Sequence, residues 1–382
     1  MTAAPLRSVV LAGGGSAGHV SPLLALADCL RRRDPQVRIT ALGTSTGLEH
    51  RLVPERGYAL RTIPKVIFPR RPSAAALRLP AALKGAVDAA GAVLDEEEAQ
   101  VVVGFGGYVS SPAYLAARRR GIPIVVHEQN VRPGLANRLG ARLTPYVGTT
   151  FAETRLPHAR LIGMPLRREI ATLDRAALRQ QARASFALAP DAPTLLVTGG
   201  SLGAARLNAA FAAAAAELSA AGVQVLHVTG LGKEFVPDLT SSPGGSPGGS
   251  SGGSPGGAPY VVLPYADRMD LAYAAADLVV CRSGANMVCE VAAVGLPAVF
   301  VPLPIGNGEQ RFNAAGLAAA GGCLVVDDAA VTPQWVRATV LPLLSDPARL
   351  AEMARAAAAV GRRDADEALA DLVGQALAGA AP

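Results

Sequence analysis

Aromatic residues are scarce. Phe, Trp and Tyr make up 4% of the 382 residues while half of the chain is apolar, so the cores must be filled by Ala, Val and Leu. Each such side chain buries little area, which predicts closely packed, helix-rich layers. The chain is also poor in cysteine: Cys29, Cys281, Cys289 and Cys323 form no CxxC pair and have no histidine at zinc-ligand spacing. The spacing offers no zinc or redox motif, and the four read as reduced thiols of a cytosolic protein. No apolar run reaches the roughly 18–20 residues that a membrane span needs. No signal peptide is apparent, because the chain runs almost directly into a strand pattern at Ser8–Ala12. No Asp-x-Asp pair stands at a strand end, so there is no metal-ligand motif. Acids are outnumbered by bases, 30 against 36, giving a net charge of +6. That excess favours anionic partners, although an Arg-rich, Ala-rich composition produces the same balance without any partner.

What is present is alternation. Short β-branched runs recur between long Ala/Leu/Arg segments. The strand patterns in the first half are Ser8–Ala12, Arg38–Gly43, Val101–Gly104, Ile124–His127 and Tyr146–Thr149. In the second half they are Thr194–Thr198, Gln224–Thr229, Tyr260–Leu263, Leu278–Cys281, Ala298–Val301 and Cys323–Val326. Strand–helix alternation predicts parallel sheets covered on both faces. Two sets in succession predict an α/β protein of two doubly wound, Rossmann-like domains facing a cleft, with ligands at the carboxyl ends of the strands. The expected division is 1–166, 167–362 and a C-terminal helix in 363–382 that packs back towards the N-terminal domain. The boundary lies near Gly163–Arg167, where Met164 precedes a proline. Eighteen of the twenty residues in Thr240–Pro259 are Gly, Ser or Pro, which reads as a disordered surface insertion at 240–259.

Three polar clusters follow strands of the first half. Gly13-Gly14-Gly15-Ser16-Ala17-Gly18-His19 fits GxGxxG and stands before a helix. A dinucleotide site would want an acid at the end of the second strand, where Gly43 and Thr44 stand instead. A tight turn with a capping histidine is the plainer alternative. Gly104–Pro112 contains Tyr108, and His127-Glu128-Gln129-Asn130 leaves another strand. Four consecutive polar residues there are poor core material. One cleft would therefore collect His19, Tyr108, His127, Glu128 and Asn130.

The second half repeats the logic. Gly199–Ala204 follows one strand, and Arg282–Glu290 follows another. Ser283 is a candidate cap for the helix there, whose N-terminus would attract a pyrophosphate. Glu290 is placed to accept from ribose hydroxyls, or is an ordinary surface acid. Gln310 and Asn313 are amide candidates for sugar hydroxyls. Separately, Arg61–Lys84 holds six bases, no acid, and interleaved Ile67, Phe68, Leu77, Leu79 and Leu83. It reads either as a membrane-surface element meeting anionic lipids or as a solvated loop and helix. Nucleic acid is disfavoured, since one aromatic offers little stacking.

In order, GGSAGHVSP, GFGGYVSSP, HEQN, GMPLR, GGSLGAARLN, CRSGANMVCE and VPLPIGNGEQRFNA resemble the MurG glycosyltransferases of peptidoglycan synthesis. The resemblance runs from about Val9 to Val326 and implies the GT-B fold. It implies inverting transfer of N-acetylglucosamine (GlcNAc) from its UDP donor to the 4-hydroxyl of N-acetylmuramic acid (MurNAc) in lipid I, giving lipid II for cell-wall synthesis, cell shape and division. It implies a peripheral protein on the cytoplasmic face of the cell membrane, touching anionic inner-leaflet lipids and other cell-wall synthesis proteins, with no required cofactor and room for divalent-metal stimulation. By similarity, Arg167, Ser201, Ala266, Ala285, Asn286, Met287, Val288, Cys289, Glu290 and Gln310 contact the donor. Ser16, Ala17, Gly18 and Asn130 reach the donor sugar, and Tyr108 and His127 lie on the acceptor side. His19 falls where the family's candidate base or acceptor-orienting histidine lies, with Glu128 as the alternative base. Ala17, Met164 and Leu202 depart from the family pattern, at positions where glycine, asparagine and glutamine are common.

Without a metal pair, the diphosphate leaving group must be stabilised by a helix dipole and positive side chains, with Arg167 the leading candidate. Other classes remain: a nicotinamide-dependent oxidoreductase, a non-catalytic sugar-nucleotide or membrane scaffold protein, and a GT-B enzyme with another acceptor.

Overall fold

The computed structural model describes residues 5–66, 74–200, 203–239, 257–305 and 308–379. Ser201, Leu202 and all but the last three positions of the 240–259 insertion lie outside the described residues, as do Phe68, Arg70 and Arg71. The chain divides into two compact units, one formed by Met1–Arg168 with Arg363–Pro382, the other by Glu169–Arg362.

The first unit is built on a wholly parallel sheet. Its strands are β1 (Ser8–Ala12), β2 (Arg38–Gly43), β3 (Ala59–Thr62), β4 (Val101–Gly104), β5 (Ile124–Glu128), β6 (Val147–Thr149) and β7 (Ala159–Leu161), in the order β3-β2-β1-β4-β5-β6-β7. The central strands are near-continuous apolar runs because both faces are covered; every residue of β1 is buried. Helices α1 (Ala17–Arg33), α2 (Glu49–Glu55), α3 (Ala74–Glu96), α4 (Gly107–Arg120) and α5 (Leu135–Gly140) lie among these strands. The order reverses between β1 and β4, whose register pairs Ala12 with Gly104. A crevice outside the carboxyl ends of such strands is where ligands bind in open α/β sheets. Strands β3 and β7 escaped the sequence pattern. They are short sheet edges, largely exposed or half-exposed, and so carry no apolar run.

The C-terminal helix, Ala365–Ala378, belongs to this unit. Its Leu369, Leu372, Val373 and Ala376 are buried in one cluster with Leu23, Leu26 and Leu30 of α1. Three arginines in the last turn of α1 suit the negative end of the helix dipole. Two of them also pair with the final helix: Arg32 with Asp366 at 2.7 Å, and Arg33 with Glu367 at 2.6 Å and Asp371 at 2.7 Å.

The second unit repeats the plan. Strands β8 (Thr194–Thr198), β9 (Gln224–Val228), β10 (Tyr260–Leu263), β11 (Leu278–Cys281), β12 (Ala298–Phe300) and β13 (Cys323–Val325) form a parallel sheet in the order β10-β9-β8-β11-β12-β13. Its reversal lies between β8 and β11, where Thr198 pairs with Cys281. Among the described residues no helix is long and apolar enough to cross a membrane.

Candidate active site

At the reversal point of the first unit, three loops meet. The chain leaving β1 begins α1 at Ser16, whose carbonyl accepts from the N–H groups of His19 and Val20 at 3.1 and 3.2 Å. The Ser16 hydroxyl caps none of the first-turn N–H groups. It bonds instead to Nδ1 of His19 at 2.9 Å, so the cap position orients the histidine. The other side of the ring packs on the loop after β4. A Cβ on Gly106 would lie 3.1 Å from His19 Nε2 and 3.3 Å from Asn137 Nδ2. One on Gly107 would lie 2.7 Å from the Gly14 carbonyl oxygen, and both residues have positive φ. Glycine is what allows the GFGG loop to close on the GGGSAGH loop. Burial pulls the half-buried His19 imidazole below its ordinary value, while the nearby Glu49 carboxylate pulls the other way. Neutral imidazole is thus favoured near pH 7.

Glu49 escaped the sequence reading. It is the acid missing from the end of β2, displaced five residues beyond Thr44, but it is not available to a ribose. Fully buried, it accepts from Gly15 N at 2.8 Å on Oε2 and from Thr44 N and Oγ1 at 2.9 and 3.0 Å on Oε1. Those donors outweigh its burial and hold its carboxyl below the usual range.

The HEQN segment differs from expectation in two places. His127 was expected to face the acceptor. Instead it is completely buried, its Nε2 donating to the Gly163 carbonyl at 2.9 Å and its Nδ1 accepting from Gln129 Nε2 at 3.0 Å. Burial pushes it down to about 4. The cause is that β5 runs on to Glu128, so both polar side chains stay in the sheet layer. Glu128 was the alternative base. Its Oε1 accepts from Asn130 N at 2.9 Å and Asn130 Nδ2 at 3.4 Å, and its Oε2 from Gly134 N and Asn137 Nδ2 at 3.0 Å each. Four protein donors on two oxygens tie the carboxylate into the loop that follows β5. Asn137, a second residue missed in the sequence, is the hub. It also donates to the His127 carbonyl at 3.0 Å and accepts from Tyr114 at 2.8 Å. Asn130 and Tyr108 remain half-exposed, the Tyr108 hydroxyl bonding the Pro64 carbonyl at 3.2 Å. Ala17, Gly18 and Arg167 are also half-exposed, and Ser16 is exposed.

In the second unit, β11 leads into the helix Ala285–Ala293. Its N-cap is Gly284, not Ser283, and no side chain caps it. The Ser283 hydroxyl is fully buried with no protein partner. Glu290 is not a surface acid: it is 8% exposed and accepts from the Tyr273 hydroxyl at 2.7 Å. Tyr273, from the helix Met269–Ala275, is a third residue the sequence did not single out. Asn286, Met287 and Cys289 are half-exposed on the helix, whereas Ala285, Val288 and Ala266 are nearly buried. Gln310 accepts from Leu303 N at 3.0 Å and so pins the loop after β12. Asn313 is buried near the Ser283 carbonyl. Arg282 turns away from the helix N-terminus to the Val301 carbonyl at 3.1 Å and Asp328 at 2.7 Å.

Two family models cover most of the chain. Residues 9–148 match the glycosyltransferase family 28 N-terminal domain, and residues 194–369 match the glycosyltransferase family 28 C-terminal domain. Relatives named UDP-N-acetylglucosamine–N-acetylmuramyl-(pentapeptide) pyrophosphoryl-undecaprenol N-acetylglucosamine transferase are similar over nearly their full length. The Nocardioides sp. protein is 59% identical, covering 96% of this chain and 97% of that one. The Streptomyces avermitilis protein is 56% identical, covering 97% and 98%. The crystal structure of Acinetobacter baumannii MurG superposes with a TM-score of 0.76 at 30% identity, covering 97% of this chain and 99% of that one.

The chain belongs to the MurG family of glycosyltransferases.

This MurG-family enzyme has the two-domain GT-B architecture. Among its described residues, one group has ligand atoms close enough to share an ion: Cys29, Asp366 and Glu367, within 4.8 Å of one another. It lies towards the far end of α1 from His19. Its two carboxylates are engaged by Arg32 and Arg33, and the Cys29 thiol is pushed up to about 12 by burial and the Glu367 contact. These are features of a packed helix pair, not of the MurG-family substrate site.

Proposed function

We propose that this enzyme transfers GlcNAc from UDP-GlcNAc to the 4-hydroxyl of MurNAc in lipid I, with inversion to a β(1→4) linkage, giving lipid II. The observation that carries the reading is 55–59% identity over nearly the whole chain to proteins named for this transfer. The geometry of each unit agrees with it.

In this account the second unit holds the donor. The uncapped N-terminus of the helix Ala285–Ala293 attracts the diphosphate, with Ser283, Asn286 and Gln310 as polar partners. Glu290, fixed by Tyr273, accepts from ribose hydroxyls. By resemblance to the family, Ser201 and Arg167 are further donor-contact candidates, and Ser16, Ala17, Gly18 and Asn130 are candidates for the donor sugar. The first unit holds the acceptor. His19 removes the proton from its hydroxyl as the bond from the anomeric carbon to UDP breaks. In the tautomer that serves this role, Nδ1–H donates to Ser16 and Nε2 carries the lone pair. His127 and Glu128 act through the loop they organise. No step calls for a metal.

The acceptor's lipid requires a membrane surface, and we assign the protein to the cytoplasmic face as a peripheral protein. Leu135 is 82% exposed at the start of α5, with Arg132, Arg138 and Arg142 exposed around it in sequence. An apolar side chain among cations suits an anionic leaflet, as does the basic stretch Arg61–Lys84.

The test is UDP release from UDP-GlcNAc with and without a lipid I analogue. Release that depends on the analogue is the expected result. Equal release in its absence, or UDP binding with no turnover, overturns the reading.

A further inference from the structure

Glu49 has no part in the transfer as set out above, yet its surroundings are specialised. It is the first residue of α2, is fully buried, and bridges two loops: Gly15 N after β1 at 2.8 Å, and Thr44 N and Oγ1 after β2 at 2.9 and 3.0 Å. Glycines make room for it. A Cβ on Gly14 would fall 2.5 Å from Oε1, and one on Gly43 would fall 2.5 Å from Cγ. Gly15, the residue it holds, adjoins Ser16, and the Ser16 hydroxyl holds His19 at Nδ1. We propose that Glu49 is a positioning residue for the acceptor-side histidine: its carboxylate ties Gly15 to Thr44, and this fixes Ser16 and His19 at the mouth of the loop.

A carboxylate is required by the donor count. Three hydrogens converge on two oxygens that carry none of their own. An amide at the same place would turn an NH₂ group against an N–H donor, and the loop would have to open. Glu49 is also the charged neighbour of His19, whereas Ser16, which bonds its Nδ1, is neutral.

This inference rests on the proposed role of His19, and its test separates the two. Transfer by E49Q is measured at saturating donor and acceptor, together with the KM for UDP-GlcNAc and, in the ligand-free protein, the NMR titration of the His19 ring. The expected result is a loss of about 10- to 100-fold in kcat, a donor KM within about twofold of the parent value, and a His19 pKa that moves down once the carboxylate charge is gone. Unchanged kcat and an unchanged His19 titration overturn the proposal. A lower kcat with an equally disturbed donor KM and an unmoved titration also overturns it, because a merely structural role predicts that pattern. If E49Q does not fold, T44V removes one of the three donors and leaves Glu49 in place. A smaller loss in kcat at unchanged donor KM then supports the proposal, and parental kcat overturns it. If the parent enzyme shows no acceptor-dependent turnover, the functional reading fails while the His19 titration still decides whether Glu49 governs that ring.

Discussion

The hydroxyl of Tyr273 lies 2.7 Å from Oε2 of Glu290. The two residues come from different helices of the second unit, and Tyr273 is fully buried. A phenol that donates to a carboxylate fixes its rotamer before any ligand arrives. Y273F leaves the ring packing intact and removes that donor. We predict that it raises the UDP-GlcNAc KM by about 10- to 100-fold, the effect of losing one hydrogen bond to a charged group, with kcat nearly unchanged. Replacing Glu290 with Ala has a larger effect in the same parameter. Steady-state kinetics with varied donor checks both. An unchanged donor KM in either variant removes Glu290 from the donor site.

His19→Ala is predicted to lower kcat by about 10²- to 10⁴-fold, the usual contribution of a general base, while the donor KM changes little. The pH dependence follows from the burial that holds His19 below its ordinary value of 6.5. The unprotonated ring is the working form, so kcat is level at neutral pH and falls as pH drops through the lowered pKa. A pH profile of kcat checks this. An acid limb above pH 7, or nearly full turnover in the alanine variant, would take the base role from His19.

Glu128 is predicted to matter through structure. Glutamine in its place turns an NH₂ group towards N–H donors from Asn130, Gly134 and Asn137, at a cost of about 1–3 kcal/mol. Thermal unfolding should shift down by about 2–4 °C per kcal/mol for a domain of this size, while the acid limb of kcat stays in place. Loss of that limb in E128Q with an unchanged melting curve would make Glu128 the base instead.

The final helix offers a contrast between packing and charge. Leu369 is fully buried in the cluster shared with α1, so Leu369→Ala is predicted to cost about 2–5 kcal/mol. Arg33 pairs with Glu367 and Asp371, but all three are substantially exposed, so Arg33→Ala should cost about 1 kcal/mol or less. Denaturant unfolding of the two variants checks the order. A larger loss from Arg33→Ala would mean that the ion pairs, not the apolar face, hold this helix.

Most of the architecture was legible because parallel strands covered on both faces are written as apolar runs, and the loops that follow them as glycine and polar clusters. The edge strands β3 and β7 were not, because a half-exposed edge has no such run. The same logic separates the site residues. His19 stood out because it follows six small residues after a strand. Glu49 did not, since GLEHRLVPE reads as the start of a charged surface helix; only the adjacency of the β1 and β2 loops reveals its partners. Asn137 and Tyr273 were hidden in the same way, as one polar group each on an ordinary helix. Glu128 was read as leaving its strand because a run of polar residues signals a loop, whereas β5 carries it, beside His127, into the interior. Sequence pattern reports solvent exposure on average, and a buried polar network breaks that rule wherever its donors and acceptors balance.

The product of the transfer gives its sharpest test. UDP-GlcNAc and a lipid I analogue are incubated with the enzyme, and the purified product is examined by mass spectrometry and by NMR of the new linkage. The expected product carries one added GlcNAc on the 4-hydroxyl of MurNAc, with a β-configured anomeric proton. An α linkage, a different acceptor position, or free GlcNAc as the only new sugar would contradict it.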